Sequence, residues 1–205
     1  MEYLVDMTTH VPAGTPEEDV ADIRAKEAAY SRELAAEGHL LRLWRPPLAP
    51  GEWRTFGVFS ADDDACLSRL LGSMPLHVWR TDVVTPLAPH PNDPGAVRGG
   101  QSAEFLTMLT LSVPEGTSAE TVDDLKSREA LRAHDLAAEG RLVRLWIPPT
   151  QPGEWRALGV WSAGDESGLR ATLESLPLYR WMTVETTPLT PHPNDPAGSQ
   201  TGVAS

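Results

Sequence analysis

A single cysteine, Cys66, in 205 residues leaves no partner for an intramolecular disulfide and excludes most cysteine-based metal sites. Basic residues are scarce too. Seventeen Lys and Arg stand against 29 Asp and Glu, a net charge of −12, whereas a nucleic-acid binder needs a net basic face. Acidic residues interrupt every hydrophobic run well short of the ~18 residues that span a bilayer, so no membrane partner is expected. The opening MEYLVDMTTH has no basic stretch followed by an apolar one, so no secretion signal is expected and the chain reads as cytoplasmic. Also missing are a G-x-G-x-x-G fingerprint, a phosphate loop, a nucleophile elbow and any His/Asp/Cys cluster with metal spacing. Among enzyme classes, proton transfer without cofactor or metal is left.

What the chain does contain is one unit written twice. A shift of 102 positions aligns it on itself without a gap. Ala35–Pro47 (AAEGHLLRLWRPP) returns as Ala137–Pro149, Pro50–Arg54 (PGEWR) as Pro152–Arg156, and Thr85–Pro94 as Thr187–Pro196. About half the positions from Glu2 to Pro94 are identical in the second copy. A solenoid unit is ~20–50 residues, so this period is that of a small complete domain. The expected organisation is a domain at 1–94, a linker at 95–103, a second domain at 104–196 and a disordered tail at 197–205.

Each copy reads strand, helix, strand, strand, helix, strand. Glu2–Val11 is rich in β-formers, and Pro16–Glu37 is a helix with Glu17, Glu18 and Asp19 in its first turn. Gly38 and Gly140 stand where a C-terminal cap belongs. Strands follow at His39–Arg45 and Trp53–Ser60, then a helix at Asp62–Ser73 and a last strand at His77–Thr85. This order predicts an α+β fold of two tandem ferredoxin-like domains, pairing as a dimeric α+β barrel because each sheet has one face without helices.

Several residues resist a pure packing reading. The apolar stripe Val20, Ile23, Tyr30 and Leu34 has Glu27 in its middle, and Glu129 holds the same place in the second copy. A carboxylate there is costly unless paired, and Arg24 and Lys126 stand one turn before it. A paired structural glutamate and a functional one are both open on this pattern. The strand Leu40–Arg45 alternates, with Leu40, Arg42 and Trp44 on one face and Leu41, Leu43 and Arg45 on the other; copy two offers Arg144 and Trp146. An arginine beside a tryptophan suits an anionic, partly apolar ligand or, alternatively, a surface stacking pair. Trp53/Trp155 and Phe59/Trp161 share a face with Gly57/Gly159 between them, which suggests a ligand recess or a bulge. His90 and His192, the histidines that both copies retain, are further candidates in a Pro-His-Pro turn. Cys66 becomes Gly168, which argues against a required thiol.

In order and spacing, each copy resembles the muconolactone delta-isomerase family. The resemblance rests on the opening strand through Met7, basic-x-x-Glu (Arg24–Glu27, Lys126–Glu129), and Gly38 followed by Leu43-Trp44-Arg45. It continues through Pro75–Leu76 and Pro177–Leu178 to the closing His90–Pro91 and His192–Pro193. It implies a ferredoxin-like fold, paired sheets, a homo-oligomer, no cofactor, and conversion of muconolactone to 3-oxoadipate enol-lactone in aromatic catabolism. The implied roles are Glu27 and Glu129 as base, Arg24 and Lys126 as electrostatic partners, and Arg42, Arg144 and Arg45 as binders of an anionic lactone or enolisable acid. Trp44, Trp146, Trp53 and Trp155 would be its apolar walls. The chain departs from the family pattern at Arg42 and Arg144, where the family tends to have histidine. Its third strand carries Trp53–Phe56 in place of polar and tyrosine residues, its proline-rich hairpin is longer, and Ile147 replaces the arginine of Leu-Trp-Arg. A non-catalytic small-acid binding or scaffold protein is the competing reading.

Overall fold

A computed structural model describes residues 1–95 and 103–198; the expected linker lies outside the described residues over 96–102, and the expected tail over 199–205. The first repeat runs β1 (Glu2–Thr9), α1 (Glu17–Ala36), β2 (Leu40–Arg45), β3 (Arg54–Ser60), α2 (Asp64–Ser73) and β4 (Arg80–Pro89). The second runs β5 (Ala103–Leu111), α3 (Ala119–Ala138), β6 (Leu142–Ile147), β7 (Trp155–Ala163), α4 (Glu166–Glu174) and β8 (Met182–Pro191). The strands are antiparallel in the order β4-β1-β3-β2 in one repeat and β8-β5-β7-β6 in the other. This is an α+β protein.

Local chemistry accounts for the helices. In α1, three acids in the first turn face the positive end of the macrodipole, and Gly38, at φ 78°, ends the helix in the left-handed region. Asp63 caps α2 by accepting from the Cys66 N–H at 2.7 Å, and Asp165 caps α4 through the Gly168 N–H at 2.8 Å.

The chain forms two compact units whose limits differ from those of the repeats. Unit 1 is residues 1–87 with the described residues from Thr190 onward; unit 2 is Ala88–Leu189. In unit 1, Pro191 and Thr190 pair with Trp44 and Arg45 of β2. In unit 2, Ala88 and Pro89 pair with Ile147 and Trp146 of β6. Each unit therefore contains a closing segment from the other repeat: His192–Asp195 in unit 1 and His90–Asp93 in unit 2.

Three local expectations need correction. First, no strand begins at His77: Pro75–Trp79 is a 3₁₀ turn, and β4 starts at Arg80. Pro75 lacks an N–H and its ring fixes φ, which suits the first position of a helical turn. The equivalent turn in unit 2 is Tyr179–Trp181. Second, the register of β2 on β3 shifts between Leu40 and Arg42. The bulge puts Leu40 into the helix-facing core with Leu43, so Leu40 does not share a face with Arg42 and Trp44. Third, the β3 registers run through Gly57 without a shift, and the space above it belongs to the ring of Phe59. That core also contains Tyr3, Val5, Leu34 and Leu67. In unit 2 the indole of Trp161 covers Gly159 and donates from Nε1 to Thr107 Oγ1 at 2.8 Å.

A Cβ at position 57 would stand 2.5 Å from Phe59 Cε2, and one at 159 would stand 2.5 Å from Trp161 Nε1. Gly57→Ala and Gly159→Ala are each expected to cost about 1–3 kcal/mol through overpacking, measured as a shift of the urea midpoint at unchanged slope.

Candidate active site

Each unit encloses a cavity between its long helix and its sheet, of about 380 Å³ in unit 1 and about 470 Å³ in unit 2. Glu27 of α1 lines the first and Glu129 of α3 the second. Both sit on the inward stripe that the helical spacing indicates.

Glu27 is 8% exposed. Its Oε2 accepts the Leu76 N–H at 2.8 Å, and its Oε1 lies 3.3 Å from Arg80 Nη1. That N–H is available because the 3₁₀ turn after Pro75 removes it from any strand ladder. Arg80 is fixed in turn by both oxygens of Asp82, at 2.6 and 3.0 Å. Burial raises the Glu27 pKa; the Leu76 N–H and Arg80 counter it, while Asp82 adds to it. Glu129 repeats the main contact, accepting the Leu178 N–H at 2.9 Å, and burial raises its pKa as well. Position 182, equivalent to Arg80, is Met182, so Glu129 has no such cation.

Arg24 and Lys126 line the cavities but do not pair with the glutamates. Both are exposed and lie over indole rings, Arg24 5.2 Å from the Trp53 centroid and Lys126 Nζ 3.9 Å from that of Trp155. The inward carboxylates take their donors from the turn after the second helix, and a long exposed side chain gains more over an indole than inside. Trp53, Trp155 and Arg45 also line the cavities, and Ile147 takes the place of Arg45 in unit 2.

Arg42 and Arg144 require a correction, as do Trp44 and Trp146. None of the four lines either of these two cavities. Arg42 is 1% exposed, and its Nε and Nη2 both donate to Asp195, at 3.1 Å in each case, while Asp195 Oδ1 also accepts the Leu43 N–H at 3.0 Å. In unit 2, Arg144 Nε donates to Asp93 at 3.0 Å, and the Leu145 N–H donates at 2.8 Å. Each guanidinium also lies 4.5 Å from its own tryptophan, Trp44 or Trp146. These arginines clamp the closing segment and are not placed to bind an anion in the cavity.

The clamp brings the two histidines to the cavity walls, His192 in unit 1 and His90 in unit 2. His192 Nδ1 accepts the Asn194 N–H and His90 Nδ1 accepts the Asn92 N–H, each at 3.1 Å, which leaves the proton of the neutral ring on Nε2. Burial, Arg45 and Arg24 push the His192 pKa down to about 4. Burial also lowers that of His90, with Asp93 opposing.

Sequence reasoning missed Arg80, Asp93 and Asp195. The two aspartates had a signal: Pro89–Pro94, repeated as Pro191–Pro196, is the longest block that the copies share unchanged. Arg80 had none, since the second copy does not keep it.

Removing one member of a buried ion pair strands the other charge. Arg42→Met is expected to cost about 3–5 kcal/mol in urea unfolding, and Arg42→Met with Asp195→Leu less than either single change. The raised carboxyl pKa values also set a pH dependence. The folded chain holds those protons more tightly than the unfolded chain, so stability falls as pH rises from the ordinary carboxylate range through the raised values. Glu27→Gln with Glu129→Gln should flatten that fall in a series of thermal melts across pH.

A model of the family described as muconolactone delta-isomerase matches residues 1–93 and again 103–195. The muconolactone delta-isomerase of Cupriavidus pinatubonensis is 36% identical over 92 residues, which are 45% of this chain and 97% of that protein. Muconolactone delta-isomerase 1 of Acinetobacter lwoffii is 33% identical over 92 residues, 45% of this chain and 93% of that protein. Among solved structures, a chlorite dismutase from Candidatus Nitrospira defluvii covers 93% of this chain and 92% of its own at a TM-score of 0.58 and 11% identity, a likeness of fold alone. Both repeats match one family from end to end, and the chain belongs to the muconolactone delta-isomerase family.

Proposed function

We propose that the chain is a cofactor-free isomerase of aromatic catabolism, built from two ferredoxin-like repeats, and that Glu27 moves a proton within an unsaturated lactone carrying a carboxylate. Muconolactone, converted to 3-oxoadipate enol-lactone, is the proposed substrate and the cytoplasm the proposed location. The observation that carries this reading is the buried Glu27, held at the cavity wall by one backbone N–H and one guanidinium.

In this reading the Glu27 carboxylate takes a proton from the carbon vinylogous to the lactone carbonyl. The C–H bond breaks, an O–H bond forms on Glu27, and the electron pair spreads to the carbonyl oxygen as a dienolate. The carboxyl then returns the proton two carbons away, which leaves the enzyme unchanged. A base whose pKa is raised toward the working pH is suited to both halves of that transfer. Arg80 keeps the carboxylate from being fully neutralised by burial. Neutral His192 offers its Nε2–H to the developing oxyanion, and Arg45 with Arg24 attracts the free carboxylate of the substrate. The anchoring role implied for Arg42 thus passes to Arg45, which faces the cavity. Trp53 supplies an apolar wall.

Incubation with muconolactone in deuterated water tests this directly. Isomerisation is expected, with deuterium at the receiving carbon in the fraction of turnovers in which the Glu27 carboxyl exchanges with solvent before it returns the proton. Turnover is reduced about 10²–10⁴-fold by Glu27→Gln with Glu129→Gln while the circular dichroism spectrum stays unchanged. Unchanged turnover in the double variant would sink the reading, and binding without isomerisation in the parent protein would favour the non-catalytic alternative.

A further inference from the structure

The two cavities differ in charge. The cavity of unit 1 is lined by Arg24, Arg45 and Arg80 with Glu27, and by the hydroxyls of Thr9, Ser31 and Thr55. At the equivalent positions of unit 2, Ile147 replaces Arg45, Met182 replaces Arg80, and Leu111, Ala133 and Ala157 replace the three hydroxyl residues. Five polar positions have become apolar, and the cavity is the larger of the two.

The charges that remain in unit 2 are few and balanced. Glu129 is inside and has lost its guanidinium partner. Lys126 is exposed and lies over Trp155. Arg156 faces Glu154, with Nε 3.9 Å from Oε1. A carboxylate seated among the apolar residues would stand near Glu129 with neither Arg45 nor Arg80 to offset it, a costly arrangement in an apolar site.

One guanidinium on the wall of this cavity has lost its acidic partner. Arg54 in unit 1 donates to both oxygens of Asp6, at 2.8 and 2.6 Å. Its counterpart Arg156 has lost that partner, because Asp6 is replaced by Met108, and the buried Arg156 Nε has no hydrogen-bond partner. Nε itself is closed to solvent, but the partly exposed Arg156 side chain lines the cavity, where its guanidinium offers an N–H to an acceptor oxygen on a ligand.

We propose that the unit 2 cavity binds an uncharged, predominantly apolar ring compound whose carbonyl oxygen accepts from Arg156, whereas the unit 1 cavity takes an anion. The two repeats have thus diverged in the charge of the ligand they accept. This is a claim about binding, and it stands whether or not either site turns over a lactone.

The test is calorimetric titration of the full chain with coumarin, an uncharged lactone, and with coumarin-3-carboxylate, which has the same ring and a negative charge. One saturable coumarin site per chain is expected. Ile147→Arg, which installs the unit 1 residue, should weaken coumarin binding about tenfold or more, and Arg45→Ile should leave it unchanged. Met108→Asp, which gives Arg156 back its acidic partner, should weaken it as well. Should Ile147→Arg fail to fold, Met182→Arg places a cation in the same cavity and carries the same expectation. The proposal is overturned if coumarin does not saturate a site, if Arg45→Ile weakens it as much as Ile147→Arg, or if the carboxylate binds the unit 2 cavity more tightly than coumarin. Isomerisation is not read in this titration, so a failure of the isomerase reading would show only in the deuterium experiment.

Discussion

A carboxylate on the inner stripe of a helix must find a donor, and here the donor common to both units is a single backbone N–H. Leu76 supplies it to Glu27 and Leu178 supplies it to Glu129. The proline before each leucine starts a turn in place of a strand, which leaves the N–H pointing at the helix and not at a neighbouring strand. The last strand then begins a few residues later than its β-rich sequence suggests. One hydrogen bond thereby links the long helix, the turn after the second helix and the start of the closing strand, and it fixes where each cavity has its acid.

A second constraint sets the opposite wall. The closing segments are held by Asp195 on Arg42 and by Asp93 on Arg144, with a β2 or β6 backbone N–H shared in each. Because each unit includes the segment that ends the other repeat, neither repeat by itself contains both the glutamate and the histidine of one cavity. The duplication therefore has a consequence for chemistry as well as for size: both repeats are needed to line either site.

Repeat structure, element order and the inward position of Glu27 and Glu129 were legible from spacing alone, since helical and strand periodicities report which side of an element is buried. The register shift in β2 was not, because one extra residue reverses the face of everything before it. Partner choice was harder still. Arg24 lies one turn from Glu27 in sequence and stacks on Trp53, while Arg80 is 53 residues away and makes the contact. The Arg42–Trp44 pair was read as a ligand anchor because the side chains suit an anion, yet Asp195, 153 residues on, already occupies that guanidinium. Long-range pairing of this kind leaves no local pattern. The unchanged Pro-His-Pro-Asn-Asp-Pro block was the nearest thing to a signal, and its aspartate was the informative residue.

The central claim is that burial raises the pKa of Glu27 at the cavity wall, with Arg80 opposing the shift. Carbon-13 NMR titration of the glutamate side-chain carboxyls, with Glu27 assigned by its loss in Glu27→Gln, measures this most directly. The account predicts a Glu27 midpoint above the ordinary glutamate range, and a still higher one in Arg80→Met. A midpoint at or below that range, or one that Arg80→Met leaves in place, would contradict it.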